Sequence, residues 1–378
     1  MLLHALLLTS VLAHGDTIRA RLLARLGDDA STTGPGFGEV SGFAFDSAGR
    51  LYVSDFQDAR IVVFGPDGRA LGVIGRHGRG PGEFSAPTGP VTGPDGALYV
   101  RDLTALKRFT RDPRTGLAGR YDRDLPGPTF APWRAKRPTY LDAAGRYYFP
   151  LEWGDAATGQ PVRSFVRYDG AGTLVDTLPV PRYPGEPSLT ASVQVTPQTG
   201  RMLPGLNAAP FEPRTVWTVT PRGTVISGDG GAPTLQETDA QGRRLRTLDI
   251  GGAGRRIPAR ERAESLAALR RRLDSLPGPL SAVRGMSPAV REQRLPDVYP
   301  SATGLVMVGE ELWVRRWAEP GATRFDRFRL DGTSLGGVLL PVQCTGNPAP
   351  TVRAGRIACL VADAETGAET VALLMLPR

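Results

Sequence analysis

The segment that starts at Phe43, FAFDSAGRLYVSDFQDARIVVFGPDGRALGVIG, returns in altered form from Val91 as VTGPDGALYVRDLTALKRF. Tyr52 and Val53 map onto Tyr99 and Val100, Asp55 onto Asp102, and Gly49 onto Gly96, each 47 residues apart. A fixed period of this length marks an array of one supersecondary unit. Such a unit is too small to bury its own apolar face, so its neighbours must cover it. Within a copy, short β-rich runs alternate with turn signals, the pattern of a strand meander. The first copy predicts strands over Gly42–Phe45, Leu51–Val53, Ile61–Phe64 and Ala70–Ile74, with turns at Asp46–Gly49, Asp55–Ala59 and Gly65–Gly68.

Further copies follow. The second turns at Pro94-Asp95-Gly96, the third opens at Tyr140, the fourth near Thr215, the fifth at Leu305 and the sixth at Thr351. Six copies of four strands predict an all-β, six-bladed β-propeller of antiparallel blades over residues 16–378. The 47 glycines and 34 prolines suit many short strands joined by tight turns. The sixth copy has only three strands before Arg378. Thr17–Leu26 (TIRARLLARL) precedes Gly27 as Arg69–Ile74 (RALGVI) precedes Gly75, so it supplies the missing strand and closes the ring, which removes exposed sheet edges. The other reading of that segment is a short helix. Two stretches interrupt the period. Arg182 to Pro213 is rich in proline, and Gly251 to Pro296 carries a helix over about 257–277. Leu266, Leu269, Leu273 and Leu276 give that helix one apolar face, and Arg260, Arg262, Arg270, Arg271 and Arg272 line the other. The helix either docks on the propeller by its leucines or meets a partner or a membrane surface by its arginines.

Residues 1–15 have the apolar run and the Ala13-His14-Gly15 cleavage pattern of a signal peptide, although no Lys or Arg precedes the run. The expected location is periplasmic or secreted. No later stretch is apolar enough to predict a transmembrane segment. Cys344 and Cys359 are the only cysteines, and in an oxidising compartment they either bond or remain two buried thiols. The formal net charge is +8, and Lys107 and Lys136 are the only lysines among 46 basic residues. A basic exported chain favours anionic partners.

The motif GRGPGEFSAPTG (Gly78–Gly89), followed by DGALYVRD (Asp95–Asp102), resembles the NHL-repeat, TolB-like six-bladed β-propeller family of exported bacterial proteins. GPGFGEVSGFAFDSAGRLYVSDFQDARI, NAAPFEPRTVW (Asn207–Trp217) and PDVYPSATGLVMVGEELWVRRW (Pro296–Trp317) are similar to segments of such propellers. The resemblance implies that ligands bind on the face carrying the loops between blades, at the mouth of the central channel. It implies no single activity, because propellers host unrelated chemistries.

A meander sends its turns alternately to the two faces of the disc. The Asp-Gly turns share one face; the inter-blade loops share the other with the turns between second and third strands. On the loop face the sequence places Arg76, His77, Arg79, Arg101, Arg315, Arg316 and Trp317, and the approach to blade three adds Arg134, Lys136 and Arg137. These are the candidate ligand-binding residues. Arg315-Arg316 stands where blades one and two have Ser54-Asp55 and Arg101-Asp102, a departure from the repeat that fits either a structural or a binding role. Three other features read as structural: the pairs Asp55–Arg60 and Asp102–Lys107, Glu83 as an acceptor that fixes its loop, and Trp313 in the core slot of Tyr52 and Tyr99.

Function classes narrow by ligand supply. His4 and His14 lie in or beside the leader, which leaves His77 and two cysteines, too few for a zinc site or a His-based quinoprotein dehydrogenase. No nucleophile elbow accompanies His77. No catalytic residue and no cofactor is assigned. The alternative is a calcium-dependent lactonase-like enzyme, with calcium at the central channel held by carboxylates and the amide of Asn207. The leading expectation is a non-catalytic, monomeric exported scaffold that binds a protein, peptide or anionic glycan through its basic loop face. Export argues against nucleic acid as the partner.

Overall fold

A computed structural model of the chain describes residues 16–27, 36–103, 105–128, 139–154, 161–183, 209–252, 255–274, 292, 294–363 and 368–377. The first fifteen residues, and with them the expected leader, lie outside the described residues, as do Arg134, Lys136, Arg137 and Asn207.

Six sheets follow one another along the chain. Blade one comprises Val40–Phe45, Leu51–Asp55, Arg60–Phe64 and Ala70–Ile74. Blade two comprises Pro87–Thr92, Leu98–Asp102, Ala105–Thr110 and Arg120–Pro126. Blade three is Tyr140–Leu141, Tyr147–Gly154, Pro161–Tyr168 and Leu174–Val180, and blade four is Thr215–Val219, Val225–Asp229, Thr234–Thr238 and Arg244–Asp249. Blade five is Gly304–Val308, Glu311–Arg316, Thr323–Arg329 and Ser334–Leu340; blade six supplies Thr351–Arg353, Arg356–Ala362 and Glu369–Met375. Strands are antiparallel within each blade. First strands of neighbouring blades meet one another, which puts them around the central axis.

The alternation of apolar side chains along each second strand builds the ring. In Leu51-Tyr52-Val53, Leu51 and Val53 pack with Leu360, Val371 and Leu373 of blade six, while Tyr52 packs with Leu98, Val100 and Phe109 of blade two. Period-two alternation thus sends each strand into two different cores. The same rule gives a core at every seam, with Tyr99, Phe149 and Val166 between blades two and three, and Trp313, Phe325, Ile357 and Ala372 between five and six. Trp313 is 2% exposed, a core residue as its repeat slot predicts.

The ring is latched by the chain's first described residues, with one correction to the sequence reading. Thr17 to Leu26 is not a single strand on blade six. Thr17–Arg19 runs parallel to the outer strand of blade five, Thr17 opposite Gly337 and Arg19 opposite Leu339. Arg21–Leu26 then pairs antiparallel with Glu369–Met375 and completes blade six. The cause is packing at the seam. Ala20 is buried in the core between blades five and six, with Ile18 and Leu22 against it, so the segment crosses that seam. Leu26 is fully buried between blades six and one. The insertion forms a helix, α1 (Ala259–Asp274), which docks by Leu266 and Leu269 on Phe211, Ile257 and Tyr299.

Candidate functional site

The loop face is fixed by backbone capping at the end of each second strand. Asp55 accepts the backbone N–H groups of Glu39 and Asp58 and bonds Arg60 at 3.1 Å. Asp102 accepts those of Ser85 and Ala86 and faces Lys107 at 3.8 Å. Both pairs therefore hold the loops, as their five-residue spacing suggests. Glu83 takes the N–H of Gly80 at 2.9 Å and the guanidinium of Arg76 at 2.8 Å. The Gly80 amide first, then Arg76, holds its carboxyl below the usual range. Gly75 has φ +76°, and a Cβ there would lie 2.3 Å from the Phe84 ring, so only glycine lets this loop fold over its aromatic.

In blade five the cap is inverted. Arg316 stands in the slot of Asp55 and Asp102 but donates, where they accept. Its guanidinium bonds the carbonyls of Ser301, Ile250 and Gly251, and its Nε bonds Asp326 at 2.9 Å. It ties the end of blade four to the entry of blade five. Arg315, one residue earlier, donates to the carbonyls of Cys344 and Thr345 in the loop to blade six. No carboxylate faces it among the described residues, and burial alone lowers its affinity for its proton.

These two arginines and Trp317 line a half-open cleft of about 250 Å³ with Thr303, Thr323 and Gln343. Trp317 is set from behind. It stacks on Tyr299 at 5.6 Å and meets Phe211 at 4.6 Å, and its indole donates to Glu261 of α1 at 3.1 Å. Glu261 also accepts the Tyr299 hydroxyl, and Arg255 lies 4.1 Å over the Tyr299 ring. Burial, with that bond to Glu261, pushes the Tyr299 hydroxyl up to about 12. Phe211 holds φ +64°, a conformation that bulky residues avoid, at the base of this stack. A second cleft of about 350 Å³ opens on the opposite face between blades one and two. Although larger, it pairs most of its charges, Arg50 with Asp46 at 2.6 Å and Arg108 with Asp95 at 2.7 Å, while Arg111 also lines it.

The structure gathers Arg315, Arg316 and Trp317 into one cleft, but Arg76, His77 and Arg79 lie apart, exposed in the loop between blades one and two. Arg101 stands elsewhere again, buried in the seam between blades two and three with its guanidinium 5.4 Å over the Phe149 ring. Sequence reasoning missed Thr303, Thr323, Gln343, Phe211 and Tyr299, which come from another strand and the flanking loops of blade five or from stretches outside the period. Among the described residues no group of three or more His, Cys, Asp or Glu side chains converges to hold a metal ion.

No family model matches the chain. No curated protein matches it either. Solved structures do resemble it. One is a member of the DUF4221 family from Bacteroides vulgatus, 12% identical, with 96% of this chain and 98% of that one aligned at a TM-score of 0.49. Others are virginiamycin B lyase from Staphylococcus aureus (11% identity, 95% and 94% covered, TM-score 0.42) and the PQQ-bound aldose sugar dehydrogenase of Streptomyces coelicolor (12%, 95% and 98%, 0.43). At such identities the six-bladed assignment rests on the strand order of the chain itself.

Proposed function

We propose that this chain is an exported binding propeller that takes an acidic peptide, protein or anionic glycan on its loop face. The observation that carries this reading is the cleft at blade five. Its lining charges are both cationic, its Arg315 has no carboxylate partner among the described residues, and one wall is the indole of Trp317. At about 250 Å³ it is smaller than most sites for a whole small molecule and suits one side chain or sugar unit of a longer ligand. The exposed Arg79, beside Arg76 with its partner Glu83, extends the positive surface around the ring. Export fits the bond between Cys344 and Cys359, whose Cα atoms lie 5.6 Å apart, since such bonds persist in oxidising compartments.

Poly-L-glutamate, immobilised and probed at low and at high salt, tests the reading. Arg76→Glu with Arg79→Glu is expected to slow association about tenfold at low salt and little at high salt, because exposed charges steer encounters and are screened. Failure of the unaltered protein to bind poly-L-glutamate at low salt, or binding equal to that of poly-L-lysine, overturns it.

A further inference from the structure

We propose that the seam between blades two and three is a socket for a single carboxylate, held by Arg101 and supplied by an aspartate or glutamate side chain of the partner. The inference rests on the reading of the loop face as the binding surface and adds the chemical group recognised.

Arg101 keeps only 6% of its surface. It shares a strand face with Tyr99 and lies opposite Thr88 and Leu106. Its one partner among the described residues is the face of the Phe149 ring. The fold supplies counter-charges to other buried cations of blades two and three. Arg167 pairs with Asp176, Lys107 with Asp102 and Asp124, and Arg163 with Glu152 at 2.8 Å. The acid beside Arg101, Asp102, is already taken by two backbone amides and Lys107. Burial without compensation accordingly disfavours the charged guanidinium. The fold does not require a cation here either. The equivalent slot is Ser54 in blade one, satisfied by Ser41 and the Pro87 carbonyl, and it is Pro150 in blade three and Gly228 in blade four.

The facing wall carries orphaned donors. Ser164 lies opposite Leu151, one step beyond the pair of Phe149 and Val166, and so points into the same seam. Its hydroxyl is buried without a hydrogen-bond partner. Thr139, two residues ahead of Leu141 in the same core, also has a buried hydroxyl with no partner. A guanidinium fork matches the two oxygens of a carboxylate, and hydroxyls can meet the remaining lone pairs.

The test uses the full chain, with glutarate as probe against chloride at equal ionic strength, followed by thermal unfolding. Glutarate is expected to raise the midpoint of the unaltered protein saturably, up to about a 100-fold gain in the folding equilibrium at a hundred times Kd. Arg101→Met is expected to be at least as stable as the unaltered protein in chloride, because an uncompensated buried charge has gone, and to show no glutarate response. Ser164→Ala is expected to keep the fold and weaken glutarate several-fold. An equal glutarate response in Arg101→Met, or marked destabilisation of that variant in chloride, overturns the proposal by making Arg101 a structural tie. A saturable response to inorganic phosphate but not to glutarate overturns the assignment of a carboxylate. The two readings fail separately. Poly-L-glutamate binding that persists without any glutarate response sinks the socket alone. A glutarate response lost in Arg101→Met, with no binding of poly-L-glutamate, sinks the wider loop-face reading and leaves the socket.

Discussion

Replacing Arg316 probes whether the inverted cap of blade five carries the join between blades four and five. The guanidinium is largely buried and satisfies the carbonyls of Ile250, Gly251 and Ser301 along with Asp326. The backbone makes room for it. Gly252, at φ +88°, has Nη1 only 2.9 Å from where a Cβ would lie. In Arg316→Met, Asp326 keeps Arg324 at 3.1 Å, so the carboxylate is not stranded. The three carbonyls are, and a buried acceptor without a partner costs about 1–3 kcal/mol. Because the adjoining cleft is half-open, water can reach part of this set, and the expected loss is about 3 kcal/mol, at the low end for breaking a buried ionic network. Against a total stability on the order of 5–15 kcal/mol this is large. Urea unfolding, followed by tryptophan fluorescence, should show a lower midpoint at an unchanged slope. Arg316→Lys should lose nearly as much, since one ammonium cannot span four acceptors set around a planar fork. Arg316→Asp, which restores the residue of blades one and two, should be the worst of the three, as it turns a carboxylate toward three carbonyls and Asp326. A Met variant within about 1 kcal/mol of the unaltered protein, or an Asp variant more stable than the Met variant, would refute the latch.

Leu26→Ala should cost about 2–5 kcal/mol in thermal or urea unfolding, because Leu26 is fully buried in the core that joins blade six to blade one; a loss no greater than at an exposed leucine such as Leu71 would show that the ring closes without it. Tyr148 is fully buried and donates to Asp142 at 2.7 Å, and burial followed by that bond pushes its hydroxyl up to about 12. Its folded value lies above the unfolded one of about 10, so its contribution of up to roughly 3 kcal/mol is complete below pH 10 and drains away as pH rises toward 12. Unfolding midpoints at pH 8 and pH 11 should differ less in Tyr148→Phe than in the unaltered protein, and an identical pH dependence would reject the assignment.

The blades were legible because the 47-residue spacing repeats both the turn chemistry and the alternation. Asp46 and Asp142 each close their turn on the N–H groups two and four residues ahead, and each bonds the arginine at the fourth. The split of the first strand was not legible. Its parallel pairing with blade five follows from where Ile18, Ala20 and Leu22 find a core, and no local pattern encodes which seam they enter. Arg315-Arg316 stood out as a break in the repeat, but the acceptors that fix both are mostly backbone carbonyls, which leave no signature in a sequence. The stack of Phe211, Tyr299 and Trp317 joins irregular segments to a strand end, where no period operates. The cysteines were open between two fates, and the loop that carries the Arg315 acceptors brings them together.

One slot in the repeat explains where this propeller can place chemistry. The last residue of the second strand is committed in most blades, since Asp55, Asp102 and Asp229 accept loop amides and Arg316 donates to loop carbonyls. The repeat slot before it faces the next seam and is held to no single role, and the chain fills it with Ser54, Arg101, Pro150, Gly228, Arg315 and Leu360. Four of these are neutral. The two arginines lie in blades two and five, on opposite sides of a six-bladed ring, and neither meets a carboxylate among the described residues. A cation that served only stability would gain from a counter-ion, as Arg167 and Lys107 do in neighbouring positions. A cation that lacks one is left to meet a ligand's carboxylate. The two slots differ in how far they have been committed. Arg315 spends donors on the Cys344 and Thr345 carbonyls and lines an open cleft, whereas Arg101 spends none and sits in a nearly closed seam. The first suits a group that arrives and leaves with the rest of a ligand on the surface, and the second suits a side chain that must be inserted.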